Sequence, residues 1–108
     1  MSVKVMIERI TKPGLGSKLP PLLKELRSEA VRQKGYLYGE TLHSVDDPNT
    51  FLVVSTWSNI DAWHRWSSDE SRQKKEKSIA PLLAVAPKVK VYEEHFDMDG
   101  AIRRGKVA

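Results

Sequence analysis

The chain contains no cysteine. Disulfides and thiol chemistry are therefore excluded, a composition that fits a reducing cytoplasm. No apolar run approaches the roughly 20 residues that a membrane span needs. The opening MSVKVMIERI alternates polar and apolar residues and lacks the apolar stretch of a signal peptide. A glycine-rich phosphate loop, an HExxH pair and a Ser–His–Asp order are all missing, which sets aside kinase, zinc-protease and hydrolase chemistry. Charge of one sign is not concentrated either. The net +4 is interleaved with acids, as in KKEK at 74–77, and reads as a solvated face, so neither nucleic acid nor membrane is expected as a partner. Aromatic residues make up 7% of the chain, but all three tryptophans fall between positions 57 and 66.

With 108 residues there is room for one core. We assign residues 1–97 to a single domain and 98–108 to a tail that is loose or extends onto a partner subunit. Val3–Ile10 has the alternation of a strand, with Val3, Val5 and Ile7 on one face and Met6 and Ile10 on the other. TKPGLGSK, residues 11–18, is a turn. From Leu19 to Lys34 the spacing predicts a helix, with Leu19, Leu22, Leu23, Leu26 and Ala30 as its buried stripe and Gly35 as its stop. Tyr36–Val45 reads as a second strand, and DDPN at 46–49 as the turn of a hairpin.

Phe51–Trp57 is the third strand, and its run Phe51–Val54 predicts burial on both faces. Ser58 and Asp61 have the spacing of a helix cap. The helix they open carries Ile60, Trp63 and Trp66 on one arc, with His64 beside Ile60. Ser67 and Glu70 repeat the capping pattern, so this helix breaks and restarts. From Asp69 to Ser78 no residue is apolar. Such a helix lies at the surface or over a polar cavity, and with nothing to anchor it we expect a mobile wall. A last strand follows from Lys88 to Phe96.

Strand–helix–strand–strand–helix–strand is the order of a ferredoxin-like α+β sandwich, with two helices covering one face of a four-stranded antiparallel sheet. The first and third strands are apolar on both faces, so the second sheet face needs cover. A second copy packed sheet to sheet provides it, and a homodimer is expected.

The strand-end Trp57, the capped helix with further aromatics, the polar helix and the final strand together resemble the antibiotic biosynthesis monooxygenase family. The most specific stretch is TWSNIDAWHRW, and the likeness covers residues 2–97 in element order. It implies a dimeric α+β barrel. It also implies cofactor-independent oxidation of a small hydroxylated aromatic, a quinol or polyketide-like phenol, in an apolar pocket. The family's phenol oxygenases place an asparagine four residues before the strand-end tryptophan, an aromatic six after it and an arginine twenty after it. Here those places hold Val53, Trp63 and Lys77. Val53 can make no hydrogen bond, and Lys77 keeps the charge without the planar fork of arginine. In the haem-degrading branch, Trp66 matches a tryptophan that presses on the porphyrin. The iron-binding histidine falls on Glu76 and the N-terminal asparagine on Met6, so haem is not expected as a cofactor. The histidines of the quinol oxygenases fall near Trp66 and Ser71, which leaves that template unmatched.

On this resemblance Trp57, Lys77 and His64 are the catalytic candidates, and Met6, His43, Val53, Trp63 and Trp66 the substrate contacts. Core packing competes for Trp57, Trp63 and Trp66, and plain solvation for Lys77. His43 and His64 are single histidines, each a candidate base. Glu93 and His95 share a strand face but lack further ligands for a metal, and no metal site is expected. A small-molecule-binding or stress-related protein that uses the same cavity without turnover is the alternative reading.

Overall fold

The computed structural model describes residues 1–95, so the tail 98–108 and the end of the expected last strand lie outside the described residues. Its elements are β1 (Val3–Ile10), α1 (Leu19–Ala30), β2 (Tyr36–His43), β3 (Thr50–Trp57), α2 (Ile60–Ser67), α3 (Glu70–Ile79) and β4 (Lys88–Glu93). The four strands form one antiparallel sheet in the order β2-β3-β1-β4. This is the ferredoxin-like α+β arrangement that the element order predicts.

Period-two alternation decides what each strand buries. On β1, Val3, Val5 and Ile7 are buried beneath the helices, and on β3, Phe51 and Trp57 join them. The covering layer supplies Leu19, Leu23, Leu26 and Ala30 from α1 and Ala62, Trp63 and Trp66 from α2. Leu22 is only partly buried, and Ile60 lies at the surface rather than on the inward arc. The Phe51–Val54 run is not buried on both faces: only Phe51 is fully buried. Leu52 and Val54 pair with Leu42 and Met6 on the opposite face, where Leu42 is 44% exposed.

Several boundaries shift from the sequence expectation for local reasons. α2 is capped by Asn59, whose side chain accepts from the Ala62 N–H at 2.8 Å, not by Ser58. Asp69, not Ser67, caps α3, accepting from the N–H groups of Ser71 and Arg72. α1 ends at Ala30, and turns carry the chain to Gly35, whose φ is 93°. β2 stops at His43 because the Ser44 hydroxyl accepts from the N–H groups of Asp46 and Asp47 and starts the turn.

α3 is anchored after all, by charge along its length and by Ile79 at its end. Arg72 and Ile79 are buried. Between them, Ser71 and Lys75 reach Glu29 on α1, while Arg72 and Glu76 turn toward the sheet. Spacings of one, four and five residues place Ser71, Arg72, Lys75, Glu76 and Ile79 on one helical face. That face is an amphipathic stripe written in ions.

Candidate functional site

The side-chain period of β1 places Arg9 two residues beyond Ile7, on the face that the helices cover. Arg9 is 1% exposed, and its Nη2 donates to Glu76 Oε2 at 2.6 Å. Arg72, one turn before Glu76 on α3, also reaches that oxygen, at 3.1 Å. The guanidinium of Arg72 lies 5.3 Å from the Trp63 ring centroid, a cation–π contact. Burial pulls the Arg72 pKa below its ordinary value; Glu76 opposes that shift and Arg9 adds to it. Two cations therefore share one carboxylate inside the protein.

Beside this cluster is a cavity between α1, the sheet and the α2–α3 layer. Trp57, Trp63 and Trp66 line it together with Val53, Arg9 and Arg72. Trp57 meets Tyr36 and Trp63 edge-on, at centroid distances of 5.3 and 5.9 Å. Its indole N–H donates to the Ser55 hydroxyl at 3.0 Å, so Trp57 offers a ligand its ring and not its donor. The Arg27 guanidinium, also in the lining, donates to the Gly39 carbonyl at 2.9 Å and ties α1 to β2. The space is tight. About 50 Å³ is open to the centre of a water-sized sphere, against the roughly 300–1,000 Å³ of ligand pockets, so a bicyclic ligand enters only if the walls part.

Four of the sequence candidates thus converge: Val53, Trp57, Trp63 and Trp66. The other four stand elsewhere. Lys77 and His64 are exposed on α3 and α2 and do not border the cavity. Met6 is on the opposite face of the sheet, beside Glu8 and Lys90. His43 stacks on Phe51 at 4.4 Å and donates through Nε2 to the Pro48 carbonyl, in a separate surface groove. Sequence reasoning missed Arg9, Ser55, Arg72 and Glu76. A signal for two of them was present, since Arg9 continues the Val3–Val5–Ile7 alternation and Arg72 stands four residues before Glu76. Among the described residues, no group of three or more His, Cys, Asp or Glu side chains is placed to hold a metal ion, and no helix is long and apolar enough to cross a membrane.

The fold and the indole-lined space beneath its helices define a ferredoxin-like α+β domain with an internal aromatic cavity. The chain belongs to the antibiotic biosynthesis monooxygenase family, whose sequence model matches residues 2–75. Its fold is similar to that of SnoaB, a cofactor-independent oxygenase from Streptomyces nogalater. The TM-score is 0.79 at 13% identity, over 90% of this chain and 96% of that one. Rv0793 from Mycobacterium tuberculosis superposes with a TM-score of 0.80 at 15% identity, over 92% of this chain and 100% of that one. SO0527 from Shewanella oneidensis gives 0.78 at 20%, over 86% and 90%. No curated protein matches the chain in sequence.

Proposed function

We propose that this protein is a cofactor-independent monooxygenase that oxidises a small hydroxylated aromatic as a cytoplasmic homodimer. The observation that carries this reading is the convergence of all three indoles on one cavity with guanidinium groups in its wall. Family membership supports it, as does the description of SnoaB as a cofactor-independent oxygenase. In the reaction a phenol and dioxygen yield a quinone and water. One oxygen atom enters the ring carbon para to the hydroxyl, the other leaves as water, and the substrate supplies all four electrons. The protein contributes a dry space, ring contacts from Trp57, Trp63, Trp66 and Val53, and positive charge where the phenol oxygen becomes anionic. Lys77 and His64 stand outside that space, and the reading does not use them.

Haem has no place in it. Glu76, at the position of the iron-binding histidine of haem-degrading relatives, has its carboxylate engaged by Arg9 and Arg72. Met6 lies across the sheet.

The dimer rests on the sheet face opposite the helices. It carries Met6, Leu52 and Val54, with Tyr38, Leu42 and Tyr92 each at least 44% exposed. A second copy would cover it. Sedimentation should give twice the chain mass, and a stable monomer at micromolar concentration would overturn this element of the reading.

A second reading is favoured by one observation: among the described residues, no histidine or lysine borders the cavity to take a phenol proton. On that reading the protein binds an aromatic without turning it over. Oxygen uptake with a panel of hydroquinones and naphthols separates the two. Uptake lost in Trp63→Ala supports the oxygenase, whereas saturable binding without uptake supports the binder.

A further inference from the structure

We propose that the ligand of this cavity is an anionic aromatic, with its ring among the indoles and its charged oxygen held by Arg9. The inference rests on the cavity being the ligand site. Arg9 is almost wholly buried and borders the cavity, yet its Nε and Nη1 have no hydrogen-bond partner among the described residues. A buried N–H without an acceptor destabilises a fold, and at this position a fourth apolar residue after Val3, Val5 and Ile7 would avoid that cost. Holding Glu76 takes Nη2 alone, which leaves Nε and Nη1 for an acceptor that enters.

Charge points the same way. Arg9 and Arg72 are opposed by the single carboxylate of Glu76, which leaves one positive charge in excess at the cavity wall. The other acids packed against α3 do not correct this: Glu25 and Glu29 pair with Lys75 on the side facing α1. Arg27 adds a further cation to the lining, whereas the Glu40 carboxylate accepts from the Tyr38 hydroxyl on the opposite sheet face, so the excess stands. Arg72 lies over the Trp63 ring, so an aromatic placed among the indoles is beside the cationic cluster. The chemistry recognised is an anionic oxygen on an aromatic ring, carried by a carboxylate or by an ionised phenol.

Calorimetry at neutral pH with matched probes tests this. 2-Naphthoate is compared with 2-naphthamide for the carboxylate, and 4-nitro-1-naphtholate with its methyl ether for the phenolate. At least one anion should bind about ten-fold or more tightly than its neutral partner, and the pair that does so identifies the source. Arg9→Met should bring the two members of that pair to equal affinity. Glu76→Gln, which removes the competing carboxylate, should tighten the anion several-fold and serves if Arg9→Met does not fold. Equal binding of acid and amide and of naphtholate and ether, no binding of any probe, or a preference that survives Arg9→Met overturns the proposal. Oxygen uptake is read separately. Uptake without anion preference would leave the oxygenase standing and remove this inference; anion preference without uptake would do the reverse.

Discussion

Arg9 and Arg72 meet on one oxygen: Oε2 of Glu76 lies 2.6 Å from Nη2 of the first and 3.1 Å from Nη2 of the second. The contact joins β1 to α3, a helix whose buried residues are Arg72 and Ile79. Removing the carboxylate leaves two cations facing each other in a poorly hydrated space. Glu76→Ala should therefore cost about 3–5 kcal/mol in urea unfolding, the range for breaking a buried pair from one side. Arg9→Met leaves Glu76 paired with Arg72 and should cost much less. Equal losses for the two variants would show that charge balance is not what holds α3.

The second prediction concerns Trp57, which is fully buried and donates to Ser55. Trp57→Phe removes that donor and part of the ring volume. We expect a loss of about 1–3 kcal/mol for the stranded hydroxyl, with a cavity contribution in addition. Adding Ser55→Ala should restore part of it, because the unpaired group is then gone. A double-mutant cycle with no coupling between the two positions would contradict the hydrogen bond.

Much of this was legible in the sequence where hydrocarbon repeats with a fixed period. The β1 alternation, the α1 leucine stripe and the element order all gave the sheet and its cover. The tryptophan cluster marked the cavity, since Trp57, Trp63 and Trp66 are each buried against it. The inward face of α3 was not legible, because a hydrophobicity pattern registers nothing when the buried stripe is Arg72 and Glu76. Nor could local spacing show that Arg9 meets Glu76, a pair separated by 67 residues. Lys77 looked catalytic from its position in the family pattern. One residue of helix is a 100° rotation, however, and it turns Lys77 to solvent while Glu76 faces in.

Acid stability supplies the third prediction. The Ser71 hydroxyl lies 2.5 Å from Glu29 Oε1 and 2.8 Å from Asp69 Oδ1. That hydrogen bond is the leading cause that holds each carboxyl below its ordinary value, 4.5 for Glu29 and 3.8 for Asp69. One hydroxyl proton cannot serve both at once, so the two effects are not additive. A carboxyl whose pKa is lower in the folded state contributes stability above its unfolded value, lost as pH falls through the folded one. The melting temperature should therefore be level at neutral pH and fall below about pH 4.5. Ser71→Ala should make that fall shallower, and an unchanged acid limb would show that the serine tunes neither group.

The last prediction concerns Gly35, which joins α1 to β2 at a φ of 93°. Any side chain is strained in this left-handed region, at a cost of about 1–3 kcal/mol. Space makes it worse, because a Cβ at Gly35 would lie 2.5 Å from the Ala62 Cβ and 3.0 Å from the Ser58 hydroxyl. The Gly35 carbonyl also accepts from the Ser58 N–H at 2.7 Å, so the backbone cannot simply swing away. Relief must come from α2, which carries Ala62 together with Trp63 and Trp66. Gly35→Ala should thus lower stability by more than the strain alone and also shift the two indoles in the cavity wall. Ligand affinity should fall although Gly35 is not among the cavity-lining residues. Tryptophan fluorescence, which reports all three indoles at this site, should change its emission maximum in the folded variant. A variant that loses stability but keeps both its emission and its affinity would show that α2 absorbs the clash without moving the cavity.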